Sequence, residues 1–176
     1  MAATFEFDEA NGAGETLTHN RTETNWKNID DSTTAYSSSP ITAGNNSFDK
    51  WLFGHFSGTY NQISAGLFAH TAGAMGAGLT IQGQPAMTVD ADRLAYATPS
   101  ATTNASLTFN QTSVIAIGSG RAVFFGITGP ATSGKAATTT GNPAYTNYLT
   151  HQLQTTGSAG AGDTASATYT LRYNEN

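Results

Sequence analysis

The sequence predicts an all-β fold: a two-sheet antiparallel β-sandwich, jelly-roll-like, preceded by an extended N-terminal arm. Three observations predict it. First, long stretches of good helix formers with apolar residues at helical spacing are missing. Second, Gly, Pro, Asn or Thr-Thr pairs interrupt the chain every eight to twelve residues or so, the spacing of sandwiches and barrels. Third, charged residues make up 11% of the chain, against roughly 25% in an average domain. Thr, Ala, Gly, Ser and Asn replace them, and a neutral, hydroxyl-rich surface suits strands better than helices. A net charge of only −5 together with 2 Trp, 7 Tyr and 9 Phe sets the chain apart from disordered sequences. Its 176 residues, 38% of them hydrophobic, fit one compact domain with a modest core.

Residues 1–40 read as the arm. Seven of the 12 acidic residues lie before Ser32, and large apolar side chains are sparse: Phe5, Phe7, Leu17, Trp26, Ile29 and Tyr36. Such a segment cannot form a core of its own, so Phe5, Phe7, Trp26 and Tyr36 are expected to anchor it on a neighbouring chain. Ser37-Ser-Ser-Pro40 closes it, and residues 41–176 form the sandwich. The stretch Phe48–Phe56 is the densest in aromatics. Its residues 48, 51, 52 and 56 also fit a helical face capped by Ser47, but Gly54, Gly58 and Thr59-Tyr60 favour a strand. Strands follow at Tyr60–Ile63 and Gly66–His70, and Thr71–Gly78 is a glycine-rich loop.

Leu79/Ile81 and Met87/Val89 are short strands around a turn at residues 83–85, and Leu94/Tyr96 ends at Pro99. Leu107/Phe109 alternates with polar neighbours. Val114–Ile117 and Ala122–Phe125 are continuous apolar runs joined by a tight Gly118-Ser-Gly120 turn. Tyr145, Leu149 and Leu153 are expected on one face. Ala167, Tyr169, Leu171 and Tyr173 alternate with Thr168, Thr170 and Arg172 in the clearest strand of the chain. The sum is about eight to ten strands, enough for two packed sheets. Trp51, Phe109, Ile115, Phe124, Leu149 and Leu171 are the expected core.

Chemistry finds little foothold in the pattern. Cysteine is absent, which removes disulfides and thiolate sites. Gly129-Pro-Ala-Thr-Ser-Gly134-Lys135-Ala136 nearly matches a phosphate-binding loop. Ala136 stands where the Mg²⁺-holding hydroxyl belongs, and Pro143 follows where a helix should open, so it reads as a surface loop. His19, His55, His70 and His151 show no paired spacing, and Asp8–Gly12 and Asp90–Asp92 are only fragments of a calcium loop. No cofactor and no metal are expected, a structural cation in the loops excepted. There is no nucleophile elbow. Carboxylates concentrated in a weakly apolar segment are poorly placed to be buried and retuned for acid–base catalysis, so no catalytic residue is assigned.

Seven scattered basic residues make no nucleic-acid footprint, and no apolar run reaches membrane-spanning length. Met1–Phe5 lacks the basic and apolar regions of a secretory signal. Trp26, Tyr36, Trp51, Tyr60, Tyr145 and Tyr148 could stack sugars. Trp51, crowded by Phe48, Phe53 and Phe56, reads instead as core, and Trp26 as an interface anchor.

One resemblance stands beside these readings. Ser47-Phe48-Asp49-Lys50-Trp51-Leu52-Phe53-Gly54-His55-Phe56-Ser57-Gly58-Thr59, followed by Gln62-Ile63-Ser64, resembles small structural proteins of tailed bacteriophages. In those, an aromatic-rich strand with an internal Lys-Trp runs into a Gly-Thr step and a second strand. The closing Tyr169-Thr-Leu-Arg-Tyr173-Asn-Glu175 is similar to their terminal strand. The likeness covers residues 47–70 and 145–175 and does not extend to the arm or to Thr71–Gly78. It implies a non-enzymatic β-sandwich of the virion, a capsid decoration or cement protein assembled in the bacterial cytoplasm. Its partner would be the major capsid protein, and such proteins are commonly homo-oligomers, often trimers. A tail or neck component, or a carbohydrate-binding module, is the alternative.

Overall fold

A computed structural model describes residues 2–72, 76–83, 96–102, 107–108, 115–117, 125–126, 138–139, 142–146, 148–162 and 167–175. Among them are the strands β1 (Ala2–Asn11), β2 (Thr16–Thr18), β3 (Lys50–Thr59), β4 (Ile63–Ala72), β5 (Leu79–Gly83) and β6 (Leu107–Thr108). The remainder are β7 (Ile115–Ile117), β8 (Phe125–Gly126), β9 (Thr138–Thr139), β10 (Ala144–Thr146), β11 (Leu149–Thr155) and β12 (Ala167–Glu175). The helical content of the described residues is one 3₁₀ turn at Tyr36–Ser38. The protein is all-β, and its strand pairs are antiparallel.

The larger sheet runs in the order β2-β1-β3-β11-β5-β6, with β10 bridging β3 and β8. The smaller one runs β12-β4-β7, with β9 also on β4. At the centre of the larger sheet is β3. With β1 on one side and β11 and β10 on the other, it buries side chains on both faces. Leu52 and Phe56 enter one cluster with Ile63, Ile81, Leu149 and Leu153, while Trp51 and Phe53 enter another with Ala10 and Tyr148. Complete burial of an aromatic or branched aliphatic side chain contributes about 1.5–3 kcal/mol, so among the described residues this strand makes the largest apolar contribution.

Residues 2–11, expected in the extended arm or irregular lead-in, form the strand β1. It pairs with β3 from Ala2↔Thr59 to Ala10↔Trp51 without a break in register. The reason is visible in its sequence. Phe5 and Phe7 alternate with Glu6 and Asp8, so one face of the strand is apolar. Phe5 packs at a tilt against Phe56 and Tyr173, with ring centroids 5.1 and 6.0 Å apart, and meets Phe7 edge-on at 4.9 Å. Residues 19–39 have no strand of their own, yet they too lie against the domain. Arg21 N–H donates to the Phe7 carbonyl at 2.7 Å, and Phe48 N–H to the Lys27 carbonyl at 3.1 Å.

Other elements shift in detail. β3 stops at Thr59 and β4 starts at Ile63, so Tyr60–Gln62 is the connection rather than a strand, and β4 continues through Thr71 and Ala72. At the end of β3, Gly58 has φ +90°, and a Cβ there would meet the Ala2 carbonyl oxygen at 2.8 Å. The strongly alternating C-terminal segment is β12, paired with β4 from Ala167↔Ala72 to Glu175↔Ile63, with an irregularity between Arg172 and Asn174. Trp51 and Leu149 are buried as expected. Tyr145 packs with the Trp51 cluster, whereas Leu149 and Leu153 belong to the other, so these three do not share a face. Phe109, Phe124, the side chains of Ile115 and Leu171, the Gly118–Gly120 turn, Met87–Leu94 and the Gly129–Ala136 loop lie outside the described residues.

A candidate metal centre beside a buried ion-pair network

The two faces of the β1–β3 ladder carry different chemistry, because side chains alternate along both strands. On the Trp51 face, Glu6 stands directly across from His55. Asp8 is two residues further along the same face of β1. His19, just past β2, completes the group. The four residues each bring one ligand atom to within 4.8 Å of all the others. His19 Nδ1 lies 2.7 Å from Asp8 Oδ2 and 3.9 Å from Glu6 Oε1. His55 Nδ1 lies 2.8 Å from Glu6 Oε1 and 3.3 Å from Asp8 Oδ2.

Neighbours fix these groups in place. The Asn20 backbone N–H donates to the second oxygen of Asp8 at 3.1 Å, which leaves Oδ2 for the cluster. Asn20 itself sits at φ +53°, a left-handed turn that swings His19 back over the strand. Tyr145, opposite His55 on β10, stacks on its ring at 4.7 Å with a 20° interplanar angle. Burial, and then the charges of Asp8 and Glu6, push the Tyr145 hydroxyl above its ordinary value. Access is one-sided: the Asp8 side chain is fully enclosed, whereas that of His19 is 59% exposed.

The opposite face holds an ion-pair network inside the apolar cluster. Glu9, fully buried, accepts from Lys50 Nζ at 2.9 Å, Arg21 Nε at 3.1 Å and Asn11 Nδ2 at 3.2 Å. Lys50, only 1% exposed, also donates to the Asp31 carbonyl at 3.3 Å. Lys27 Nζ donates to Asp31 Oδ1 at 2.6 Å and to the Thr34 carbonyl at 2.8 Å. Burial alone would push the Asp31 carboxyl up. The hydrogen bonds from Lys27 and Thr34 outweigh it and hold the group well below the usual carboxylate range. Asp30 accepts from Asn11 Nδ2 at 2.8 Å and from Gly12 N–H at 2.7 Å. Charge pairing and the contact of Trp26 with the first cluster and with the edge of the His151 ring therefore together bind residues 19–39 to the domain.

Both findings depart from the sequence reading. The acidic residues of the N-terminal segment were expected to stay out of buried surroundings, yet Asp8 and Glu9 are fully enclosed. The histidines, scattered in sequence, are partly gathered by the fold. The expected anchors also divide. Phe5, Phe7 and Trp26 pack against the first core cluster of their own chain, and Tyr36 does not. Phe7, Trp26 and Tyr36 line one open groove of about 910 Å³ together with Ile41, Leu79 and Leu153. Tyr36 is 45% exposed at its edge. The period-two run Phe5-Glu6-Phe7-Asp8 was the available signal for the strand, and hence for two of the four clustered ligands.

Comparison with known protein families, with curated proteins and with solved structures finds no match for this chain. No helix among the described residues is long and apolar enough to cross a membrane.

Proposed function

We propose that the chain is a non-enzymatic structural protein of a tailed-phage virion, a β-sandwich that binds the major capsid protein and decorates the head shell. The observation that carries this reading is the position of the phage-like segment. Ser47–Thr59 supplies β3, the strand on which both apolar clusters are built, and the terminal segment that shares the resemblance supplies β12. A sandwich arrangement draws support from the first cluster, in which Phe56 and Leu149 of the larger sheet meet Ile63 of β4 and Tyr173 of β12. A surface poor in charge lowers the desolvation cost of a large protein interface. The groove holding Phe7, Trp26 and Tyr36 offers aromatic anchors to a partner. On this reading the protein acts as a homo-oligomer, a trimer over shell junctions, and resides in the virion after assembly in the bacterial cytoplasm.

The test is to express the chain with a fluorescent or gold label in infected cells, purify the particles and image them. Label distributed over the head, with loss on Trp26→Ala, is the expected result. Label confined to the tail or neck would move the protein to another part of the virion. Absence from particles, combined with glycan-array binding that Trp26→Ala removes, would replace this reading with a carbohydrate-binding module.

A further inference from the structure

We infer that Glu6, Asp8, His19 and His55 form a binding site for one divalent first-row transition metal, with zinc the best fit. The site is independent of the proposed role in a virion and stands or falls separately.

Ligand type comes first. Two imidazole nitrogens and two carboxylate oxygens suit Zn²⁺ and its neighbours, whereas calcium takes six to eight oxygens, about twice the ligands offered here. Geometry agrees. A tetrahedral ion with ligands at about 2.0–2.1 Å holds them roughly 3.3 Å apart. The four nitrogen–oxygen separations, 2.7, 2.8, 3.3 and 3.9 Å, bracket that value. Small rotations of the His19 and Glu6 side chains, both partly exposed, would equalise them.

Charge is the next argument. Asp8 is fully enclosed, and among the described residues no Lys or Arg forms an ion pair with Asp8 or Glu6. Arg21 and Lys50, the nearest cations in the chain order of these strands, are committed to Glu9 on the other face. With both imidazoles in the unprotonated form that ligates a metal, the two carboxylates bring two negative charges, which one divalent ion neutralises. The supporting shell is also in place: Asn20 N–H orients Asp8, and Tyr145 fixes the plane of His55. Bound metal would tie the segment after β2 to β1 and β3 at one point, a clip between a strandless stretch and the sheet.

The experiment uses the full chain without an affinity tag, stripped with chelator and titrated with Zn²⁺ by calorimetry and with Co²⁺ by visible absorption. One equivalent should bind, and Co²⁺ should give the intense bands of tetrahedral coordination. His19→Ala removes an exposed side chain and should leave the fold intact. It should weaken Zn²⁺ binding by about 10–100-fold or more and abolish the tetrahedral spectrum. His55→Ala should do the same, with circular dichroism in chelator reporting its fold separately. Excess Ca²⁺ should not compete. Absence of stoichiometric binding would overturn the site and leave a cluster of imidazole–carboxylate hydrogen bonds. Binding that survives both substitutions would equally overturn it, by placing the metal elsewhere.

Discussion

Removing Glu9 should cost more than removing either cation it serves. Glu9 and Lys50 lie on the apolar face of the β1–β3 ladder, and among the described residues Lys50 Nζ donates to Glu9 Oε1 at 2.9 Å and to the Asp31 carbonyl at 3.3 Å. Glu9→Ala therefore strands an ammonium group in an enclosed site, a change that costs about 3–5 kcal/mol. Judged by the contacts among the described residues, Lys50→Met is milder. The carboxylate it leaves behind keeps Arg21 at 3.1 Å and Asn11 at 3.2 Å, and the Met side chain fills most of the lost volume. A loss of about 1–3 kcal/mol is expected, the scale of one buried charged hydrogen bond. The double variant buries neither charge of the pair, so its cost should fall short of the sum of the singles by about 1–3 kcal/mol. Urea unfolding at neutral pH, followed by tryptophan fluorescence and circular dichroism, measures all three. The m-value should stay constant, which would show that compactness is unchanged. Additivity within about 0.5 kcal/mol, or a larger loss for Lys50→Met than for Glu9→Ala, would refute the network as the tie between β1 and β3.

Three further outcomes are expected. Phe56→Ala should destabilise by about 3–5 kcal/mol, because the ring is fully buried and meets Phe5 and Tyr173; a loss under about 1 kcal/mol would mean that the first cluster is not the core. Gly58→Ala should cost about 1–3 kcal/mol, since φ +90° strains an L side chain and the obstructing atom is the Ala2 backbone oxygen; unfolding midpoints equal to wild type would show that the end of β1 is not held there. Asp31 titrates lower in the folded chain than in the unfolded one, where its pKa is about 3.9. Its contribution is thus complete above that value and is lost as pH falls below about 4. Midpoints measured from pH 6 to 2 should fall more steeply for the wild type than for Asp31→Asn, and parallel curves would dismiss the Lys27–Asp31 pair.

The all-β class was legible in the sequence, and the reason is local. Punctuation by Gly, Pro and Asn, scarce helix formers and period-two alternation such as Tyr169–Tyr173 act over a few residues, so they survive without knowledge of partners. The aromatic density of Phe48–Phe56 likewise marked the central strand. Global sparseness of apolar residues in residues 1–40 obscured the local alternation of Phe5 and Phe7. A strand paired along its length with β3 needs little apolar surface of its own when β3 supplies most of it.

Only the tertiary structure decided the rest. Glu6 meets His55 because the antiparallel register sets residues 49 positions apart in direct opposition, and a shift of one residue would send one of them to the other face. The same register sorts adjacent carboxylates into different roles. Asp8 faces two imidazoles, while Glu9, its neighbour in the chain, faces Lys50 and Arg21. Composition records how many charges a chain carries. Which of them are enclosed, and opposite what, depends on pairings between distant segments that no short window of sequence contains.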